Sequence, residues 1–171
     1  AWPVIGNAFE RALRGETSFL ENQRIFLDRK GYLEETFFTF SFSPIFDETG
    51  RVGGLFHPVT ETTSNMLAER RTRVLRDVAG RSAKARSADE ALIACAEGLS
   101  ESVCDVPFVA FYAINEGENT ARLVATSGLS AENTRAHAVE SLQPSASGWR
   151  LPEVMESGEP LIVPLDTGAG A

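Results

Sequence analysis

Residues 32–63 read YLEETFFTFSFSPIFDETGRVGGLFHPVTETT. Phe38, Phe40 and Phe42 alternate there with Thr39, Ser41 and Ser43, so the phenyl rings share one face of an extended segment and the hydroxyls the other. That is the period-two pattern of a half-buried strand. Asp47, Glu48, Thr49 and Gly50 supply turn chemistry, and residues 52–59 read as the returning strand of a hairpin. Glu61, Thr62 and Thr63 end that strand directly before a charged segment containing Glu69, Arg70 and Arg71. An acid and two hydroxyls at such an exit suit polar locks between strand end and helix start. Thr62 or Thr63 also suits an ordinary helix N-cap, accepting the first free amides.

Upstream, Val4, Ile5, Ala8, Phe9, Ala12 and Leu13 recur at helical spacing, and Gly15 is a good stop, which predicts a helix over residues 3–14. Residues 16–29 read as a strand with Phe19, Ile25 and Leu27 inward, and Lys30-Gly31 as the turn into the hairpin. Downstream, residues 63–86 form a helix whose apolar stripe is thin: Leu67, Val74, Leu75 and Val78. Such a stripe suits a contact between two parallel helices, with Leu67, Val74 and Val78 as a dimer seam. A helix lying against its own sheet is the other reading. Ser87 and Glu90 then make a capping box at the start of a helix carrying Ala91, Leu92, Ala94, Cys95, Leu99 and Val103. FVAFYAI at 108–114 and RLVAT at 122–126 flank a turn at 115–119 and read as a second hairpin. A short helix with Pro152 near its start and Gly158 past its end follows, and residues 161–165 read as a strand.

Composition limits the function classes. The 171 residues are 43% hydrophobic and 23% charged with a net charge of −8, enough for one domain or two small ones. No apolar run approaches the about 20 residues needed to cross a bilayer, and the chain reads as cytoplasmic. The run from Glu69 to Arg86 holds seven basic residues against two acidic ones, but it has no aromatic side chain for base stacking. A solvated helix face, with neither nucleic acid nor membrane as partner, accounts for it. Cys95 and Cys104 fall in one predicted helix on different sides and read as small apolar residues. There is no G-x-S-x-G, no H-E-x-x-H and no phosphate loop of Walker type, and the two histidines, His57 and His137, stand in unlike contexts. No catalytic residue is assigned, and the chain is not expected to be an enzyme.

The hairpin of residues 32–63, with its acid–hydroxyl exit at Glu61, Thr62 and Thr63, resembles the closing part of a PAS sensor domain. Residues 87–171, with the DVPFVAFYAI strand, the second strand ending in Ser-Gly-Leu and the W-x-L-x-E-V-x-x-S-G-E-P-L-I-V run, resemble the first half of a GAF domain. The implied fold is α+β: the C-terminal half of a PAS antiparallel sheet over residues 1–62, a signalling linker helix over 63–86, and the N-terminal half of a GAF domain over 87–171. The chain begins on Ala1 and reads as a piece of a longer protein. The resemblance implies a sensory module of a bacterial two-component or phosphorelay protein, a homodimer through its linker helix, with a downstream output domain such as a histidine kinase.

Both folds use a sheet face as a small-molecule pocket, and Phe9, Phe38, Phe40 and Phe42 are the candidate wall, or else a plainly packed core. No cofactor is required. Haem is disfavoured because PAS haem ligands usually come from the helix facing the sheet, which here has no histidine, so His57 reads as an edge-strand residue. A LOV-type flavin is disfavoured because the first half has no cysteine, and a bilin because Cys95 and Cys104 sit on the first GAF-like helix. The rival reading from another class is a protein-interaction scaffold with no ligand.

Overall fold

The computed structural model describes residues 2–115, 117–129, 136–143 and 149–164. It is mixed α+β, with two antiparallel sheets and four helices among the described residues, and the chain divides into two compact units, residues 1–72 and 73–171.

The first unit opens with α1 (Trp2–Leu13), followed by β1 (Ser18–Asp28), β2 (Leu33–Phe46), β3 (Val52–Phe56) and β4 (Val59–Glu61). β2 is the spine of the sheet: β1 pairs along one side, β3 and β4 along the other. Helix α1 lies on the sheet face carrying Phe40 and Phe42, and it approaches closely because the residues it presents there, Ala8 and Ala12, are small and buried. Among the described residues Thr36 is the largest fully buried side chain, and its hydroxyl is satisfied by donating to the Ile25 carbonyl at 2.5 Å.

One local substitution keeps the β2 ladder continuous. Phe56 pairs with Ser43 and Val59 with Phe40, so His57 and Pro58 interrupt the strand without changing its register. Pro58 has no N–H to give Ser41, although its own carbonyl accepts from Ser41 N at 3.3 Å. The His57 imidazole fills the gap, its Nδ1 lying 2.7 Å from the Ser41 carbonyl oxygen. A carbonyl can only accept, so Nδ1 carries the proton.

The strand over residues 16–29 forms, but not with the expected inward set. The pairing of β1 with β2 shifts register between Leu20 and Gln23, where Asn22 takes a left-handed conformation with φ of 49°. The extra residue reverses the alternation, so Ser18 and Leu20 share a face with Ile25 and Leu27 while Phe19 turns outward and is 68% exposed. The turn after β2 is held by Asp47, whose Oδ1 accepts from Thr49 N at 2.8 Å, Thr49 Oγ1 at 2.6 Å and Arg51 N at 3.0 Å. The Thr49 hydroxyl and these amides hold the Asp47 carboxyl below its ordinary range.

Helix α2 (Thr63–Ser82) buries none of its residues, and the boundary between the units falls within it. In the second unit α3 (Ala88–Leu99) packs against the sheet of β5 (Val109–Asn115), β6 (Thr120–Ser127) and β7 (Val139–Ser141), and α4 (Leu151–Ser157) follows. Ser87 caps α3 by accepting from Glu90 N at 3.2 Å, and the Glu90 carboxylate reaches back to Arg86 N at 2.7 Å, one residue beyond the usual capping-box partner. Val78 packs on α3 at Gly98, where an added Cβ would stand 3.0 Å from Val78 Cγ2.

Three expectations for this unit change. Helix α3 ends at Leu99, so Cys104 lies beyond it and is exposed, and Val103 is 58% exposed rather than part of the helix face. The short strand β7, pairing with β6, had no sequence signal beyond three residues. The strand expected over 161–165 is absent from 161–164, where Ile162 is 93% exposed, while Leu165 lies outside the described residues. Pro160 and Pro164 explain this, because neither can donate to a ladder.

Candidate functional site at the strand-to-helix junction

Glu61, Thr62 and Thr63 stand where β4 hands over to α2, and all three side chains are tied to the sheet. Thr62 continues the ladder by donating its N–H to the Phe37 carbonyl at 2.8 Å. In an unbroken strand the Thr62 carbonyl would accept in return from Phe37 N. Instead it accepts from Met66 N at 3.1 Å and begins the helix, and the Thr63 hydroxyl takes Phe37 N at 2.9 Å. One hydroxyl thus stands in for a backbone carbonyl, so strand and helix start without a gap in hydrogen bonding.

The same hydroxyl donates to Glu61 Oε1 at 2.9 Å, and Arg29 grips Glu61 with both terminal nitrogens, at 3.0 and 3.2 Å. Arg29 also reaches Glu34 Oε2 at 2.9 Å, linking the end of β4 to the start of β2. Thr62 Oγ1 donates to Asn22 Oδ1 at 2.8 Å, and Asn22 N donates to Thr39 Oγ1 at 3.0 Å, so the β1 bulge is braced against the helix entry. Neither threonine hydroxyl serves the amides of α2, and the N-cap reading of Thr62 and Thr63 is replaced by one in which both face the sheet.

A second anchor lies further along the helix. Arg70 is paired with Glu35 Oε2 at 2.8 Å and its side chain is 29% exposed, so it does not belong to the solvated face expected of the basic run. Glu35 Oε1 lies 3.6 Å from Arg24 Nη1, an ion contact too long for a hydrogen bond.

Arg29, then Thr63, hold the Glu61 carboxyl below its ordinary 4.5, and Arg29 is raised by Glu61 and Glu34. A carboxyl depressed on folding contributes stability that is present above its unfolded value and lost as pH falls through the folded one. Stability of the native chain should therefore fall more steeply than that of Glu61→Gln between about pH 6 and about pH 3. Urea unfolding across that range checks it, and parallel curves would remove Glu61 from the acid response.

The four candidate wall residues come together. Phe9 meets Phe42 edge to face at 5.8 Å, Phe40 meets Phe42 at 5.8 Å, and Phe38 packs against them. His57 joins the cluster, its ring stacked on Phe42 at 4.0 Å. Phe40 and Phe42 are buried, whereas Phe9 is 38% exposed. Of the seam residues, Leu67, Val74 and Val78 are each half-buried within the single chain. In the second unit, Tyr112 Oη donates to the His137 carbonyl at 3.2 Å, and burial, then Glu140, push the phenol above its ordinary range. Among the described residues no three His, Cys, Asp or Glu side chains are grouped to hold a metal, and no helix is long and apolar enough to cross a membrane.

No protein-family model matches the sequence, and no curated protein matches it. Sequence reasoning located Glu61, Thr62 and Thr63 but missed Arg29, Glu34 and Asn22. The only local signal was the turn chemistry around Lys30-Gly31, which brings Arg29 and Glu34 near each other but says nothing of Glu61.

Proposed function

We propose that the chain is a sensory and regulatory piece of a signal-transduction protein, relaying conformational change from the first unit into α2. The observation that carries this reading is the Thr63 hydroxyl, shared between Phe37 N of the sheet and Glu61 at the helix entry. A shift in β2 relative to β4 must break or remake that contact, so two arrangements of the sheet become two states of the helix start. The resemblance extends the proposal: residues 1–62 as the closing half of a PAS domain, 63–86 as the signalling helix and 87–171 as the opening half of a GAF domain. A histidine kinase or similar output would stand downstream, and the chemistry would belong to it.

Thr63→Val keeps the shape and removes both hydrogen bonds. Phe37 N–H then loses its partner, a cost of about 1–3 kcal/mol. Hydrogen exchange should show the amides of residues 64–72 losing protection at least about tenfold while those of the β1–β2 ladder hold, since local opening can occur below the global unfolding energy. Uniform loss across the unit, or none in α2, would sink the relay reading.

We also propose a homodimer through α2, since a long helix that buries no residue gains most from a second copy. Val74→Asp places a charge in the Leu67, Val74 and Val78 stripe and should weaken self-association by several kcal/mol, whereas the exposed Arg76→Ala should act only through salt dependence. Sedimentation of the two variants decides it, and equal monomer fractions would leave α2 a spacer. A scaffold without ligand is favoured by one observation: Phe40 and Phe42 fill the candidate wall themselves.

A further inference from the structure

A groove of about 570 Å³ runs between α1 and β1, away from the junction. Asn7, Ala8 and Arg11 line it from the helix, and Ser18, Phe19 and Leu20 from the strand. Its volume lies within the range of about 300–1,000 Å³ typical of small-molecule sites. Among the described residues β1 pairs with β2 alone, so the groove opens at the outer edge of the sheet.

Two features of its lining ask for a ligand. Ser18 is 6% exposed, and its hydroxyl has no hydrogen-bond partner among the described residues. Buried hydroxyls in folded proteins are nearly always paired, and one that is not needs a reason. Arg11 donates through Nε to Glu16 Oε2 at 2.8 Å, which orients the guanidinium while using one of its five N–H groups, and its side chain is 48% exposed. An arginine fork selects a carboxylate, a hydroxyl adds a second polar contact, and the side chains of Ala8 and Leu20 accept a small apolar body.

We propose that this groove binds a small organic carboxylate with an apolar body, the carboxylate on Arg11 and Ser18 and the body against Ala8 and Leu20. The site is separate from the strand-to-helix junction, and the proposal stands without the relay reading.

The test uses the whole chain, with benzoate as probe and its neutral isostere benzamide as control, followed by amide NMR. Benzoate should give saturable shifts confined to residues 7–11 and 17–20, and benzamide none. Arg11→Gln should weaken benzoate by about tenfold or more, and Arg11→Lys, keeping charge but losing the fork, by an intermediate factor. Ser18→Ala is the discriminating variant: removing an unpaired buried hydroxyl should leave the melting temperature equal or higher, while benzoate binding falls about threefold to tenfold. Absence of saturable shifts in the groove, equal binding by benzamide, or undiminished binding by Arg11→Gln would overturn the proposal. So would a Ser18→Ala protein that is less stable yet binds benzoate as before, since the hydroxyl would then serve the fold alone.

Discussion

Gly128→Ala should cost the second unit about 3 kcal/mol and lower its melting temperature by about 12–24 °C. Gly128 follows the last residue of β6 with φ of +71°, and a Cβ there would lie 2.1 Å from the Pro107 carbonyl oxygen and 3.0 Å from Phe108 Cα. Both obstacles are backbone, so no side chain can swing aside. The left-handed conformation alone costs an L-residue about 1–2 kcal/mol. The rest comes from the Val109–Ser127 rung, which must part for the methyl group to fit. Gly158→Ala is the matched control, because Gly158 has φ of +67° with nothing within 4 Å of the added atom. Thermal unfolding followed through Trp149 should show Gly128→Ala melting well below Gly158→Ala. Coincident melts would mean that the 107–108 segment moves freely and that the close approach has no consequence.

Asn22→Ala should destabilise the first unit by about 2–3 kcal/mol, combining left-handed strain with lost hydrogen bonds. Asn22 sits at φ of 49° in the β1 bulge, and its carboxamide oxygen accepts from Thr62 Oγ1 at 2.8 Å. Alanine meets the strain and leaves that hydroxyl without its acceptor. Glycine tolerates the conformation, so Asn22→Gly should recover about 1 kcal/mol of the loss while still releasing Thr62. Urea unfolding of the three proteins measures the difference. If Asn22→Gly and Asn22→Ala were equally unstable, strain would contribute nothing; if Asn22→Gly matched the native chain, the brace on Thr62 would contribute nothing.

Where physics is local, the residues already spoke. The alternation of Phe38, Phe40 and Phe42 with hydroxyl residues depends only on the geometry of an extended chain, and β2 carries it. Asp47 to Gly50 form their turn because a short carboxylate can reach amides two and four residues on. Ser87 and Glu90 start α3 by contacts within one helical turn. The position of the strand exit at Glu61, Thr62 and Thr63 was legible for the same reason.

What those residues touch was not legible. Arg29 and Glu61 are 32 positions apart, and nothing in either neighbourhood selects the other until β4 pairs with β2. The Thr63 hydroxyl could cap a helix or satisfy a strand; the N–H of Phe37, left without its Thr62 acceptor, draws it to the sheet. Period-two reading placed Phe19 inside, but the bulge at Asn22 reverses the alternation, and a bulge is set by cross-strand partners rather than by its own composition. The alternation of β2, the Asp47 turn and the Ser87 cap were thus determined by the sequence alone, because each depends on atoms a few residues apart. The junction, the exposed Phe19 and the unpaired Ser18 were decided only by the tertiary structure, because each depends on which distant backbone group arrives opposite.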